Sequence, residues 1–375
     1  METKFGKWIT SKEFAKLFLV ILAAAVCYMG LRAGDGAAWL WGWNLYVPIF
    51  VVLFVMLLLL AYSQRAGTGR RFDRICKRVS SCFLCFLLYD VLALIVFDLA
   101  GWVFSFSPVV RGRLVFGAAL ISVFLLLWGW VHARQLKTVR YTVDLGGQGG
   151  AARIVLLSDL HIGVFIGADY LEKAAAEVNR VQPEIVMIAG DLFDGCLPAT
   201  DRELQQIAAV FRSIQAPGGV YAVTGNHDPG VDEARFLQFF EDANIRLLYN
   251  ETLELSQLYL VGRAGIVDMK DIRVPLDRLM PQAAPGKPVV VLDHDPQGIR
   301  EAISCGADLV LCGHTHRGQF FPMDFLTRWA NGKEYFYGYN HTGKTQSIIS
   351  AGTGFFQLPI RLGTDSEMVV IDCRM

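Results

Sequence analysis

The chain shows no excess of either charge: 35 lysines and arginines are matched by 35 aspartates and glutamates. It has no internal repeat, which excludes a stacked-repeat array, and no low-complexity stretch of the kind that stays unfolded. Cys196, Cys305, Cys312 and Cys373, in the second half, lack CxxC spacing. Neither a thiolate zinc site nor a disulfide framework is therefore indicated, and these cysteines read as small buried residues. No small-residue cleavage pattern follows the first apolar run, which argues against a removed signal peptide.

The charge balance conceals an asymmetry. Residues 1–140 carry 16 basic and 6 acidic side chains, whereas residues 141–375 carry 19 and 29. Two regions in different surroundings are expected, 1–140 and 141–375. Four apolar runs fill the first, roughly Leu17–Leu31, Ala37–Tyr62, Cys82–Phe104 and Leu114–Val131. Crossing a bilayer core takes about 20 apolar residues in a helix. The last three runs meet that, and the first gains reach from Lys16 and Arg32, whose long side chains extend outward from the helix ends.

Basic residues set an expected orientation. Arg65, Arg70, Arg71, Arg74, Lys77 and Arg78 lie between the second and third runs; Lys4, Lys7, Lys12 and Lys16 precede the first. The positive-inside rule places both segments in the cytoplasm, and four spans return the second region to that side. Arg134, Lys137 and Arg140 agree, while Arg111 and Arg113 vote weakly against. Asp90 and Asp98 lie within the third run, where an ionisable group is a functional candidate by default.

After Arg140 the pattern becomes RIVLLSD, EIVMIAGD, GVYAVTGNHD, LYLVGRAG, PVVVLDHD, ADLVLCGH, QSIISAGTG and EMVVIDC. Continuous Val/Ile/Leu runs of this length predict strands buried on both faces. Helical spacing predicts helices within ADYLEKAAAEVNRVQP and DRELQQIAAVFRSIQAP, each closed by proline. The alternation argues an α/β domain. Polar residues follow directly on five of the strands: Asp159 and His161, Asp191, Asn226 and His227, His294, then His314 and His316. In open α/β sheets the carboxyl ends of strands are where ligands bind.

Asp159, His161, Asp191, Asn226, His294, His314 and His316 are too many donors for one tetrahedral ion. They suit two divalent ions sharing a carboxylate. Imidazole with carboxylate fits Mn, Fe, Co, Ni or Zn, and the lack of thiolates argues against a closed structural zinc. Two such ions about 3.5–4 Å apart are the arrangement that hydrolyses phosphate esters.

The ordered motifs SDLH (158–161), GDLFD (190–194), GNHD (225–228), LDHDP (292–296) and GHTH (313–316) resemble the calcineurin-like metallophosphoesterases, across essentially all of 150–375. The tail AGTGFFQLPIRLG (351–363) is similar to the ending of a bacterial, membrane-associated branch. The resemblance implies two mixed β-sheets flanked by helices. It also implies a first metal on Asp159, His161 and His316, a second on Asn226, His294 and His314, with Asp191 bridging. His227 would face the phosphate, stabilising the transition state or protonating the leaving oxygen. Mn, Fe or Zn are the expected ions. A coloured iron–tyrosinate centre is not expected, because GDLFDG offers aspartate in place of tyrosine.

Asp194 and Asp228 read as residues that orient a histidine or loop, and Asp293 and Asp295 as solvated loop charges. Arg317 stands where the branch usually has glycine; it either clamps an acidic group or turns to solvent or an acid of the domain. Phe320, Phe321, Phe355 and Phe356, close to the motifs, read mainly as core, the alternative being contact with an acyl chain. The expected protein is an integral protein of a bacterial inner membrane with a cytoplasmic hydrolase domain. Its substrate is a phosphomonoester, phosphodiester or pyrophosphate, lipid-linked or close to the membrane. No nucleic-acid partner is expected. A soluble nucleotide or small molecule cleaved by a merely tethered domain is the alternative substrate reading. A sensor or scaffold would be expected to have lost a metal donor, and none is missing; a transporter would be expected to show inverted repeats or broken helices.

Overall fold

The computed structural model describes residues 12–65, 70–146, 150–195, 197, 200–229, 233–265, 273–281 and 286–375. Lys4, Lys7, Cys196 and residues 66–69 of the basic loop lie outside the described residues. One compact unit runs to His132 and also takes in Leu358–Ile360; the second comprises Ala133–Gln357 and Arg361–Met375.

The first unit contains α1 (Lys12–Trp41), α2 (Tyr46–Arg65), α3 (Arg71–Val103) and α4 (Pro108–Ala133), all long and apolar enough to cross a membrane. They share a small core that includes Val26, Met29, Leu53, Leu87, Leu94 and Val115. The second apolar run does not begin a helix at Ala37, because Ala37–Trp41 completes α1. Gly42, at φ 70°, closes that helix by donating its N–H to the Ala38 carbonyl at 3.0 Å. Pro48 then sits in the first turn of α2, where a missing N–H costs nothing.

Asp98 is tied to α1. It accepts hydrogen bonds from Tyr28 Oη (2.6 Å) and from Arg32. Arg32 also pairs with Asp35 at 2.8 Å, and Asp35 accepts from Tyr46 Oη at 2.6 Å. Arg32, read from the sequence as a helix-end residue, is therefore the partner that joins α1 to α3. Asp90 is buried, and its Oδ1 has no hydrogen bond among the described residues.

The second unit begins with β1 (Leu136–Asp144), β2 (Ala151–Leu157), α5 (Ala168–Arg180), β3 (Ile185–Ala189), α6 (Asp201–Arg212), β4 (Val220–Val223), α7 (Ala234–Asp242) and β5 (Arg246–Leu247). It continues with β6 (Glu251–Glu254), β7 (Tyr259–Gly262), β8 (Val289–Leu292), α8 (Ile299–Cys305) and β9 (Leu309–Cys312). The remaining elements are α9 (Met323–Asn331), β10 (Gly338–Thr342), β11 (Thr345–Ile349) and β12 (Ser366–Arg374). Residue 140 falls within β1, a half-exposed edge strand whose basic residues also resemble a membrane flank.

Two six-stranded sheets result, β1-β12-β2-β3-β4-β5 and β10-β11-β9-β8-β7-β6. Both are mixed: β2, β3 and β4 are parallel while β12 runs antiparallel to β2; β7, β8 and β9 are parallel while β10 is antiparallel to β11. The period-2 alternation of strand side chains explains the layers. Ile154 and Leu156 of β2 face a core shared with Val290, Leu292 and Leu309 of the other sheet. Val155 and Leu157 face the opposite way, against Leu171, Val178 and Ile207 of α5 and α6. On the outer face of the second sheet, Val289, Val291 and Val310 pack on Ile299 and Ala302 of α8. Each central strand is thus covered on both sides, which is why its sequence is apolar without alternation.

Helix starts are chemically marked where packing alone does not decide them. Thr200 Oγ1 accepts the Glu203 N–H at 3.2 Å and opens α6 in the Thr-x-x-Glu pattern of a capping box. On the covered side of the first sheet, Phe193, Phe236, Phe239 and Phe211 meet edge to face. Truncating Phe239 to alanine should remove about 3–5 kcal/mol. A thermal melt of the detergent-solubilised protein should show the second unit unfolding on the order of 10 °C earlier.

Candidate metal centre

The strand ends β2, β3 and β4 of the first sheet and β8 and β9 of the second all open toward one place. Backbone hydrogen bonds continue past the strands and lock the loops together: Asp159 N–H to Gly190 O (3.0 Å), His161 N–H to Asp191 O (3.0 Å) and Gly313 N–H to His294 O (3.1 Å). Seven of the twelve non-glycine residues with positive φ among the described residues lie here: Asp159, His161, Asp191, His314, His316, Arg317 and Gln319. Left-handed backbone at such residues is costly and persists only where the surroundings over-determine it, as happens at functional sites.

Asp191 stands at the centre. Its Oδ2 lies 3.6 Å from His161 Nε2 and 3.3 Å from His294 Nε2, and its Oδ1 accepts the His227 N–H at 2.7 Å. On one side, His161 Nε2 and His316 Nε2 face each other at 2.9 Å, and Asp159 Oδ1 is 3.6 Å from His316 Nε2. On the other, His294 Nε2 lies 3.1 Å from Asn226 Oδ1 and 3.2 Å from His314 Nδ1. Two triads place their donor atoms close enough to share an ion, Asp159–His161–His316 and Asp159–Asp191–His294. All seven donors singled out in the sequence are brought together.

The chemistry of the donors fits cations. His294 donates Nδ1–H to the Ala189 carbonyl at 2.8 Å, which aims Nε2 into the cluster. Its burial would lower its pKa, but Asp191 and Asp159 outweigh that and raise it to about 10, so a cation bound there takes the place of a proton. Burial lowers the pKa of His161 to about 3 and that of His316 well below its usual value, so both are neutral imidazoles, the form that ligates metal. Asp191 is held below the normal carboxylate range: burial opposes its charge, but the charge and hydrogen bond of His294 outweigh that penalty. Facing nitrogen and oxygen lone pairs inside a buried cleft repel one another unless a cation lies between them.

Residues 152–318 match the calcineurin-like phosphoesterase family. The chain carries a calcineurin-like metallophosphoesterase domain. It is similar to a metallophosphoesterase of Helicobacter pylori, 30% identical over 223 residues, which are 58% of this chain and 59% of that one. A transmembrane protein with metallophosphoesterase domain from Bos taurus is 28% identical over 273 residues, 67% of this chain and 60% of that one. The chain spans less than two thirds of either relative. Among solved structures, a 5'-nucleotidase precursor from Thermus thermophilus matches at 13% identity and a TM-score of 0.34, over 59% of this chain and 55% of that one.

Around the donors of the metallophosphoesterase domain, a second set of residues fixes the loops. Asp228 is buried and accepts the N–H groups of Phe193 (2.9 Å) and Gly225 (2.8 Å), tying the GNHD turn to GDLFD. Asp194 Oδ1 approaches His161 Nδ1 at 3.8 Å. Asp293 is not a solvated loop charge: it is 1% exposed, pairs with Arg273 and lies 3.9 Å from Arg263. Asp295 accepts the Gln297 N–H at 2.9 Å and caps the short turn after His294.

Arg317 does not lean toward the donors. Its guanidinium lies 4.5 Å over the Tyr337 ring, whose hydroxyl donates to Glu367 Oε2 at 2.8 Å. Its φ of 51° lies in the left-handed region, which explains why glycine suits this position.

Three residues of the metallophosphoesterase domain were not anticipated as parts of the site. Arg361 is fully buried and donates to the carbonyls of His316 (3.0 Å), Ala351 (2.7 Å) and Gly354 (2.6 Å), holding His316 in place. Gln319 accepts the Phe356 N–H at 2.7 Å and donates to its carbonyl at 3.1 Å. Phe356 is thereby pinned with its ring centroid 4.3 Å from that of His227 and 5.0 Å from that of His161. The only sequence signal was a lone arginine in the otherwise uncharged tail 351–363. Phe320 and Phe355 are core, as expected, but Phe321 is 50% exposed.

Gly225 gives a sharp test of this packing. A Cβ there would come within 2.1 Å of Asp191 Oδ1. Gly225→Ala should displace the carboxylate and cut the bound metal at least by half, read by elemental analysis of purified protein; full metal occupancy would contradict the placement of Asp191.

Proposed function

We propose that the chain is a membrane-anchored hydrolase of phosphate esters that works with two divalent ions, Mn, Fe or Zn. Asp159, His161 and His316 would hold one, Asn226, His294 and His314 the other, with Asp191 between them. The observation that carries this reading is the position of Asp191, whose one oxygen faces His161 on one side and His294 on the other. Ions bound there supply Lewis-acid stabilisation of phosphoryl oxygens and an acidified water.

The chain's own groups do the rest. His227 stands at the rim, its backbone fixed by Asp191 and its ring backed by Phe356. From there its imidazole N–H meets a phosphoryl or leaving-group oxygen, where charge develops. Phe356 shields one side of His227 and His161 from water. Asp228 and Arg361 hold the loops and add no chemistry of their own.

The substrate we propose is a phosphomonoester, phosphodiester or pyrophosphate that is lipid-linked or lies near the bilayer. The domain would face the cytoplasm at a bacterial inner membrane, in keeping with the basic loop between α2 and α3. The four membrane-length helices support a substrate of that kind over a freely diffusing one.

Purified protein should hydrolyse an aryl phosphate ester with Mn²⁺ and stop on chelation; inactivity with every divalent ion would sink the proposal. His227→Ala should keep its metal and lose about 10²–10⁴-fold in turnover. Unchanged turnover would remove His227 from the chemistry. Reporter fusions after Arg374 should report a cytoplasmic location.

A further inference from the structure

The second unit keeps its large apolar side chains inside, with one exception. Seven are exposed among its described residues, and five of these lie between Phe321 and Trp329; the other two are Leu237 and Tyr339. Phe325 is 62% exposed, Trp329 69% and Leu326 48%, and α9 buries none of its residues. Phe325 and Trp329, four residues apart, share a face of the helix, and Phe321, just before it, meets Phe325 with ring centroids 5.9 Å apart. Leu326 extends that face, while Asp324, Thr327, Arg328 and Asn331 occupy the rest. A concentration of exposed apolar surface on one element marks an interaction site rather than scattered surface residues.

The composition selects the partner. A phenylalanine, a leucine and a tryptophan on one face, with Phe321 just before the helix, Arg328 in its last turn and Lys333 just beyond, match a helix that lies in the lipid–water interface. Nine residues span only about 13 Å, too short to cross a bilayer. A short helix binds lipid weakly on its own, but α1–α4 hold the chain at a membrane and raise the local concentration of that interface.

We propose that α9 and Phe321 insert into the headgroup layer of the bilayer on the side where the second unit resides. The insertion bears on the metal centre through the backbone. His316 and Gly318 lead directly into α9, and Gly318 lies so close to Asp324 that a Cβ would meet its Cα at 2.3 Å. Phe321 N–H donates to Leu362 O at 3.0 Å, beside the buried Arg361 that holds His316. Seating α9 in the interface therefore sets the height of the donor cluster above the lipid headgroups. This last consequence rests on the proposed hydrolase function; the insertion itself does not.

The test uses the full chain in nanodiscs of phosphatidylethanolamine and phosphatidylglycerol, carrying a benzophenone amino acid at position 325, 329 or 237. After irradiation, mass spectrometry should find lipid adducts at 325 and 329 and none at 237. Adducts to a second copy of the chain at 325 and 329, equal lipid labelling at 237, or no lipid adduct anywhere would each overturn the proposal. The readout is a covalent adduct and needs no turnover, so an inactive preparation still decides it. Phe325→Ser/Trp329→Ser provides a second measurement. With a soluble aryl phosphate it should turn over like the parent protein. In the same nanodiscs, the amides of 321–331 should exchange with deuterium at least tenfold faster than in the parent, and unchanged exchange would count against insertion.

Discussion

A carboxylate almost sealed from water organises the second unit. Asp191 is 2% exposed, and a charge so placed survives only if partners surround it. Histidines 161 and 294 approach one oxygen and the His227 N–H occupies the other. Each partner comes from a different strand end, so the carboxylate can be satisfied only when both sheets are assembled. The fold and the site are in this sense one problem: the sandwich brings the donors together, and the donors are tolerable only in the finished sandwich.

The cost is visible in the backbone. The turns that carry the clustered donors adopt left-handed backbone that L-residues avoid, and they are over-determined by hydrogen bonds from neighbouring loops. Arg361 reaches three carbonyls from the chain's tail, and Asp228 collects two N–H groups. Neither residue presents itself to a substrate, yet both hold the positions on which a phosphate would be read. Arg317 belongs to the same logic: its left-handed backbone donates its N–H to Thr315 Oγ1, and its guanidinium lies on Tyr337.

What could be read from the sequence was local. Strand-length apolar runs, the polar residues that end them and the four membrane-length helices all depend on neighbours in the chain, and these the structure retains. What escaped depends on contacts between distant segments. Arg32 and Asp98 are 66 residues apart, and neither position advertises the other. Asp293 looks like a loop charge until Arg273 and Arg263 fold over it. Gln319 and Phe356 are ordinary residues whose meaning lies in their pairing. The break at Gly42 was missed for the opposite reason: the apolar composition runs straight through it, and only the backbone marks the turn.

The placement of β12 bears on how the protein is made. This last strand lies inside the first sheet, parallel to β1 on one side and antiparallel to β2 on the other. Among the described residues β1 has no other neighbour in its sheet, and it leaves the ribosome just after the fourth apolar helix. It must then wait, unpaired, while almost the whole unit is synthesised. Translation order and sheet order therefore run against each other. The four apolar helices and the β2-β3-β4 middle of the sheet are made long before the seam beside β1 can close, which waits for Ser366–Arg374.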